Sequence, residues 1–221
     1  MTSPIAGLYA ITPDLLDTDE LLRRTRAALS GGARVLQYRN KTVTPALQLT
    51  QAHALQKMCV EFAVPLIIND SVELAVAIGA AGVHLGGDDG DLAAARARLG
   101  PDRLLGASCY DRIELAHQAI AAGADHVAFG SFFASSVKPG AVRPPIDLIQ
   151  RAKRELGVPT VAIGGITTEN APQLLAAGVD AIAVISALFA VPDIERAARE
   201  FQMLFDQPLC GSRHEEKSKA L

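Results

Sequence analysis

The sequence predicts an α/β fold, a (β/α)8 TIM barrel, from three observations. Eight short apolar runs are continuous rather than alternating, as in parallel strands that are covered on both faces. Stretches with the apolar period of amphipathic helices separate these runs. The first run leads into Thr12-Pro13-Asp14 rather than into the glycine-rich turn that an open doubly wound sheet needs there. Strict alternation of strands and helices implies a parallel sheet, and eight such units favour a closed barrel.

The elements follow one another along the chain with short connections. The predicted strands are residues 8–12, 35–39, 66–69, 83–85, 104–108, 126–132, 160–164 and 181–185. The predicted helices are residues 21–29, 46–62, 113–122, 146–156, 169–177 and 194–205, and another helix begins near Leu92. A motif of small residues with glycine recurs where a helix gives way to a strand, as in Ala80-Ala81-Gly82-Val83 and Ala121-Ala122-Gly123-Ala124. Glycine in the left-handed conformation is expected to end each of these helices.

The length of 221 residues suits one large domain or two small ones. No composition break marks a linker, so we expect residues 1–206 to form a single barrel domain. The segment 207–221 is polar and charged, and we expect it to be a mobile C-terminal tail.

Composition excludes several functional classes. A net charge of −3 argues against a general nucleic-acid binder. The uncharged runs are shorter than the ~18 apolar residues of a membrane span. Three dispersed cysteines predict neither a disulfide framework nor a clustered zinc site. The start of the chain lacks the basic region of a signal peptide, so a cytoplasmic protein is expected.

Cations follow the second predicted strand. Gln37, Arg39 and Lys41 alternate along the chain and therefore share one face. Two cations and an amide at the mouth of a strand suit a polyanion such as a diphosphate. The alternative at this point is a loop whose charges are merely solvated.

Carboxylates follow the third and fourth predicted strands. Adjacent strands would bring Asp70 and Asp89 to one rim of the barrel, where a carboxylate pair could hold Mg²⁺ together with substrate phosphate oxygens. The alternative is structural. Asp70-Ser71-Val72-Glu73 has the pattern of a helix N-cap, and Asp89 could cap the helix near Leu92. The local pattern leaves both interpretations open.

The last three strands predict a second anion site. The sixth strand leads into a long loop of small residues that carries Lys138, either a lid with a cation or an ordinary flexible loop. Gly165 follows the seventh strand and Ser186 the eighth, where many such barrels bind phosphate. His84 and His126 lie in strand patterns, so packing or surface roles are favoured for them over ligation.

Together these motifs resemble the thiamine phosphate synthase family over residues 8–205. The motifs that carry the resemblance are Gln37-x-Arg39-x-Lys41, Ile68-Asn69-Asp70, Val83-His84-Leu85-Gly86 with Asp89, Gly106-Ala107-Ser108, Lys138-Pro139, Ile163-Gly164-Gly165-Ile166 and Val184-Ile185-Ser186. The resemblance implies a Mg²⁺-dependent transferase of thiamine biosynthesis. Such an enzyme joins 4-amino-2-methyl-5-hydroxymethylpyrimidine diphosphate to a thiazole phosphate and releases pyrophosphate.

The resemblance also implies a role for each site residue. Asp70 and Asp89 would hold Mg²⁺, and Arg39, Lys41, Ser108 and Lys138 would be catalytic. The pyrimidine diphosphate would be bound by Gln37, Tyr38, Arg39, Asn40, Lys41, Asn69, Ser108 and Lys138. The thiazole phosphate would be bound by Ser135, Ser136, Val137, Gly165, Ile185 and Ser186. The family mechanism is dissociative: pyrophosphate leaves first, and the thiazole nitrogen then captures a pyrimidine carbocation.

Two positions depart from the family pattern. Gly87 stands where the family usually has Gln, and Val137 where it usually has Thr. The two other hypotheses are a thiazole tautomerase-like isomerase and a non-catalytic phosphate-binding paralogue, although an isomerase has no diphosphate to bind. A homodimer is a further expectation from the resemblance.

Overall fold

Eight parallel strands close into a barrel in chain order, with β1 paired to both β2 and β8. The computed structural model describes residues 4–87, 89–134 and 143–206. The strands are β1 (Gly7–Ile11), β2 (Val35–Tyr38), β3 (Leu66–Asn69), β4 (Gly82–Leu85), β5 (Leu104–Tyr110), β6 (His126–Phe129), β7 (Thr160–Ile163) and β8 (Ala181–Val184). The predicted (β/α)8 TIM barrel is therefore confirmed.

Helices connect the strands on the outside of the barrel. They are α1 (Thr18–Ser30), α2 (Pro45–Glu61), α3 (Val72–Ile78), α4 (Leu92–Leu99), α5 (Ile113–Ala121), α6 (Asp147–Glu155), α7 (Ala171–Ala176), α8 (Ser186–Phe189) and α9 (Ile194–Asp206). The first four begin at side-chain caps, in which Asp17, Thr44, Ser71 and Asp91 each accept a hydrogen bond from the backbone N–H three residues later. α3 has only seven residues, too few to show a helical period, and no range was predicted for it.

Two strands end two or more residues away from the predicted position. β6 ends at Phe129 rather than at residue 132, although Phe132 is buried and its N–H donates to the Ile163 carbonyl. Burial beyond the end of the strand explains why the apolar pattern continued. β5 runs to Tyr110 rather than to residue 108, because Gly130 N–H donates to the Tyr110 carbonyl across the strands.

The glycine motif was interpreted wrongly at one position. Gly82 lies within β4 and does not end a helix, whereas Gly79 takes the left-handed φ of +67° at the end of α3. A Cβ on Gly82 would overlap the Leu104 carbonyl, so close packing of β4 on β5 requires glycine there. In the other motif, Gly123 does have a left-handed φ of +97°.

The core has two parts. The larger part lies between the strands and the helices, and a smaller cluster that includes Tyr9, Val35, Ile67 and Val161 lies inside the barrel. Side chains fill the interior of such barrels in layers, so the ligand cavity forms at the carboxyl ends of the strands. Over the described ranges, no helix is both long and apolar enough to span a membrane.

Candidate active site

A cavity of about 1050 Å³ opens at the carboxyl ends of the strands. Its walls contain side chains or backbone from most of the strand ends. The predicted site residues that line it are Gln37, Arg39, Lys41, Asn69, Asp70, Asp89, Ser108, Gly165, Ile185 and Ser186. Ser135, Ser136, Val137 and Lys138 lie outside the described residues, as do Asp88 and the tail 207–221.

Alternation at the end of β2 divides its predicted residues into two groups. Gln37, Arg39 and Lys41 line the cavity. The neighbouring Tyr38 and Asn40 do not, and their side chains bond instead to Gln51 of α2, at 2.7 Å and 3.1 Å from its Oε1. The structure therefore assigns a structural contact to Tyr38 and Asn40, which the resemblance had placed in the ligand site.

Two residues that follow β1, Thr12 and Asp14, form hydrogen bonds to the segment after β2 that carries the cations. The Asp14 carboxylate accepts from Arg39 Nη1 at 3.1 and 3.2 Å and from the Lys41 backbone N–H at 2.9 Å. The Thr12 hydroxyl accepts from the Arg39 N–H and donates to the Arg39 carbonyl. Arg39 is thus held in place before any ligand binds. Thr12 and Asp14 were not predicted as site residues, although their position directly after a strand is a signal that could have indicated them.

The structure separates the two interpretations of Asp70 and Asp89. Ser71 caps α3 and Asp91 caps α4, so neither Asp70 nor Asp89 is a helix cap. Asp70 instead has a left-handed φ of +65°, and its N–H donates to the His84 carbonyl at 2.9 Å. Both carboxylates line the cavity.

Asp70 and Asp89 are neighbours on the cavity wall, and Lys41 lies beside Asp70. Lys41 Nζ is 3.0 Å from Asp70 Oδ2, and Asp89 Oδ2 accepts from the Gly86 N–H at 2.8 Å. Burial and the adjacent Asp89 carboxyl raise the pKa of Asp70, and Lys41 opposes part of that shift. In the described part of the chain, no group of three or more His, Cys, Asp or Glu side chains could hold a metal. A divalent cation here would therefore take the carboxylate pair, water and ligand oxygens, the ligand set typical of Mg²⁺.

Polar side chains also occupy the barrel interior below this cluster. His84 lines the cavity, and its Nε2 is 2.9 Å from Ser108 Oγ. Burial lowers the pKa of His84 to about 4. Gln37 Nε2 donates to the Tyr9 hydroxyl at 3.0 Å, which fixes the amide in the barrel. Tyr9 was missed because it lies inside an apolar strand pattern.

His126 lies deeper than His84, with the two ring centroids 5.6 Å apart. It is fully buried, and among the described residues neither ring nitrogen has a hydrogen-bond partner. Burial and the neighbouring His84 lower the pKa of His126 to about 3. The ring is therefore neutral at ordinary pH, and the packing role predicted for it agrees with its surroundings.

The opposite side of the cavity consists largely of backbone and small side chains. Gly165 has a left-handed φ of +61°, and a Cβ there would overlap the Ala134 carbonyl. Asn170 holds the turn, donating to the Gly165 carbonyl at 3.0 Å and accepting from the Thr167 N–H at 2.9 Å. Ser186 begins the single-turn helix α8. Backbone groups around a glycine can approach an anion closely.

Comparisons with known proteins agree with this geometry. Residues 8–188 match the family model described as thiamine monophosphate synthase. A thiamine-phosphate synthase of Methylobacillus flagellatus is 58% identical over 92% of this chain and 97% of its own length. One from Azoarcus sp. is 52% identical over 93% of this chain and 100% of its own. The solved structure of a thiamine phosphate pyrophosphorylase from Pyrococcus furiosus superposes with a TM-score of 0.81 at 30% identity, covering 91% of this chain and 96% of that one.

Proposed function

The chain belongs to the thiamine monophosphate synthase family, and we propose that its cavity carries out that chemistry with Mg²⁺ held by Asp70 and Asp89. The activity is that of a thiamine-phosphate synthase, a transferase of thiamine biosynthesis. It joins 4-amino-2-methyl-5-hydroxymethylpyrimidine diphosphate to a thiazole phosphate, giving thiamine phosphate and pyrophosphate.

One observation carries the assignment of the site. A pair of carboxylates lies beside two cations in one cavity, with Lys41 Nζ 3.0 Å from Asp70 and with Arg39 lining the same wall. This combination suits a diphosphate with its metal, because the cations neutralise phosphate oxygens while the carboxylates hold the metal. A thiazole tautomerase-like isomerase would have no diphosphate for these groups to bind.

The residues fit magnesium chemistry. Bound there, Mg²⁺ would act as a Lewis acid on the diphosphate oxygens. Arg39 and Lys41 would stabilise the charge that grows on the pyrophosphate as the bond between the methylene carbon and oxygen breaks. The bonding electrons leave with pyrophosphate, and the lone pair of the thiazole nitrogen then forms the new carbon–nitrogen bond. Because this nitrogen carries no proton, the step needs no general base.

Inside the barrel, neutral polar groups are available for the pyrimidine ring. Gln37, Asn69 and Ser108 line the cavity below the charged cluster. Their amide and hydroxyl groups can pair with ring nitrogens and an amino group without adding charge. We assign the pyrimidine to this part of the cavity and the diphosphate to the rim above it.

The thiazole phosphate is assigned to the side of β7 and β8. Gly165, Ile185 and Ser186 line that wall, and Ser135, Ser136, Val137 and Lys138 belong to the same assignment through the family resemblance. A homodimer is proposed on that resemblance, and sedimentation equilibrium tests the dimer. We also propose a cytoplasmic location for this biosynthetic enzyme.

The decisive experiment mixes the purified protein with both substrates and Mg²⁺ and measures thiamine phosphate and pyrophosphate. We expect the two products in equal amounts, and we expect their formation to stop on chelation and to resume when Mg²⁺ is restored. Binding of both substrates without any product would instead indicate a non-catalytic paralogue. Product formation that is unaffected by chelation would contradict the metal assignment alone.

A further inference from the structure

Tyr110 has a backbone conformation that its residue type disfavours. Its φ is +55°, in the left-handed region that is unusual for a bulky side chain. The register of β5 against β6 shifts between Ser108 and Tyr110, which marks a β-bulge. Two backbone hydrogen bonds hold this bend: Gly130 N–H to the Tyr110 carbonyl and Arg112 N–H to the Cys109 carbonyl, both 2.9 Å.

Burial does not account for this conformation. Tyr110 is 40% exposed, so its ring gains less from packing than a core tyrosine would. Bulges beside active sites commonly redirect a side chain, and a strained backbone that the surrounding structure maintains points to function. Here the bulge directs the ring toward the turn between β4 and α4.

The Tyr110 hydroxyl is bonded to that turn. It accepts from the Gly87 N–H at 3.1 Å. A Cβ on Gly87 would lie 3.3 Å from the hydroxyl oxygen and 3.4 Å from the ring carbon Cε2. The tyrosine therefore occupies space beside residue 87, where this chain has glycine instead of the usual glutamine of the family it resembles.

The same turn carries Asp89. The Gly86 N–H donates to Asp89 Oδ2 at 2.8 Å, and the Asp89 N–H donates to the Gly86 carbonyl at 3.2 Å. A Cβ on Gly86 would lie 2.6 Å from Asp89 Oδ2 and 3.8 Å from the Tyr110 hydroxyl. Consecutive backbone N–H groups of the turn are thus bonded to the carboxylate and to the tyrosine. Glycines alone would leave this turn with large conformational freedom.

We propose that Tyr110 is a positioning residue that fixes the Gly86–Gly87 turn and so holds the Asp89 carboxylate beside Asp70 for the metal–diphosphate complex. This inference rests on the proposed function, because it assumes that the carboxylate pair binds Mg²⁺. The phenol acts through the turn, so its loss should weaken metal binding without removing a ligand.

The test is calorimetric titration of Mg²⁺ into the full chain in the presence of inorganic pyrophosphate. For Tyr110→Phe we expect Mg²⁺ to bind roughly three- to tenfold more weakly, the effect of one hydrogen bond. Pyrophosphate binding without Mg²⁺ should not change. Hydrogen exchange of the Gly87 amide should become faster in the variant, which reports on the turn independently of metal.

Asp91→Ala is the matched control for general loosening of the same segment. Asp91 caps α4 through a 2.7 Å bond from Ala94 N–H, so its loss should lower the unfolding temperature and leave Mg²⁺ affinity unchanged.

Unchanged Mg²⁺ affinity in Tyr110→Phe would overturn the inference. If Asp70→Asn still abolished Mg²⁺ binding in that case, the proposed function would stand. If the wild-type protein bound pyrophosphate without regard to Mg²⁺, the metal assignment and this inference would both be overturned.

Discussion

Where β2 to β5 end, the cavity is lined by charged and hydrogen-bonding side chains, whereas where β7 and β8 end it is lined by glycine, aliphatic side chains and the two hydroxyl residues Thr167 and Ser186. The first half carries Arg39, Lys41 and the Asp70–Asp89 pair. The second half presents the backbone around Gly165 and the start of α8 at Ser186.

The proposed function gives each half a different task. A diphosphate that departs must be stabilised as its charge grows, which favours ionic groups and a metal. A phosphate that only anchors a substrate needs steady hydrogen bonds, which backbone N–H groups supply without the entropy of long side chains. Substitutions in the first half should therefore change turnover, and those in the second half should change substrate affinity.

The largest effect is expected for Asp70→Asn. Asparagine tolerates the left-handed φ of +65°, so the fold is retained while one carboxylate charge is lost. We expect the Mg²⁺-dependent rate of pyrophosphate release to fall by about 100-fold or more, since metal stabilisation of charge supplies several kcal/mol. Initial rates across a Mg²⁺ series measure this effect.

Asp91→Asn provides the charge control for that variant. It removes the same charge from the nearby helix cap, and asparagine caps a helix as well as aspartate does. We expect it to keep the wild-type rate. An unchanged Mg²⁺ dependence in Asp70→Asn would reduce Asp70 to an ion-pair partner of Lys41.

The second prediction concerns His126 of β6, which is buried beside His84 of the charged half. Because burial lowers the pKa of His126 to about 3, the unfolded chain binds a proton between pH 6.5 and 3 that the folded chain does not. The contribution of the neutral His126 ring to the stability of the folded protein is therefore fully present above pH 6.5. The free energy of unfolding should then fall by about 1.4 kcal/mol per pH unit below 6.5 on account of this group.

Denaturant unfolding of His126→Leu at several pH values measures that slope. The variant should have a shallower dependence between pH 6.5 and 5 than the wild type, whatever its absolute stability. His53 is exposed on α2, and His53→Gln should keep the wild-type slope. Equal slopes for all three proteins would show that His126 does not carry the acid sensitivity.

The barrel itself could be predicted because of its physical simplicity. Parallel strands covered on both faces give continuous apolar runs, and these runs located all eight strands. The prediction was wrong where apolar residues stay buried beyond the end of a strand, and where a glycine lies inside a strand. Phe132 is buried beyond the end of β6, and the glycine of Ala80-Ala81-Gly82 packs within a strand instead of ending a helix.

The charged half of the site was predictable because barrel geometry brings strand ends together. The sequence did not decide which of two nearby residues caps the helix that follows β3 or the helix that follows β4. Asp70 and Ser71 both fit a helix cap, as do Asp89 and Asp91, and only the three-dimensional contacts assign the caps to Ser71 and Asp91. Tyr110 was missed because its role depends on a bulge, which no local pattern indicated.

The smallest effect is expected in the backbone half of the site, for Gly165→Ala. A methyl group there would overlap the Ala134 carbonyl, so the loop that ends β6 must move away from the phosphate wall. We expect the KM for thiazole phosphate to rise about tenfold with little change in kcat, which corresponds to the loss of roughly one or two hydrogen bonds.

Gly157→Ala is the matched control, because Gly157 has a similar φ of +66° and open space where a Cβ would lie. It should lose about 1 kcal/mol of stability through the left-handed backbone alone and keep its KM. If both variants raised the KM equally, backbone strain would explain the effect, and the proposed difference between the two halves of the rim would lose its support.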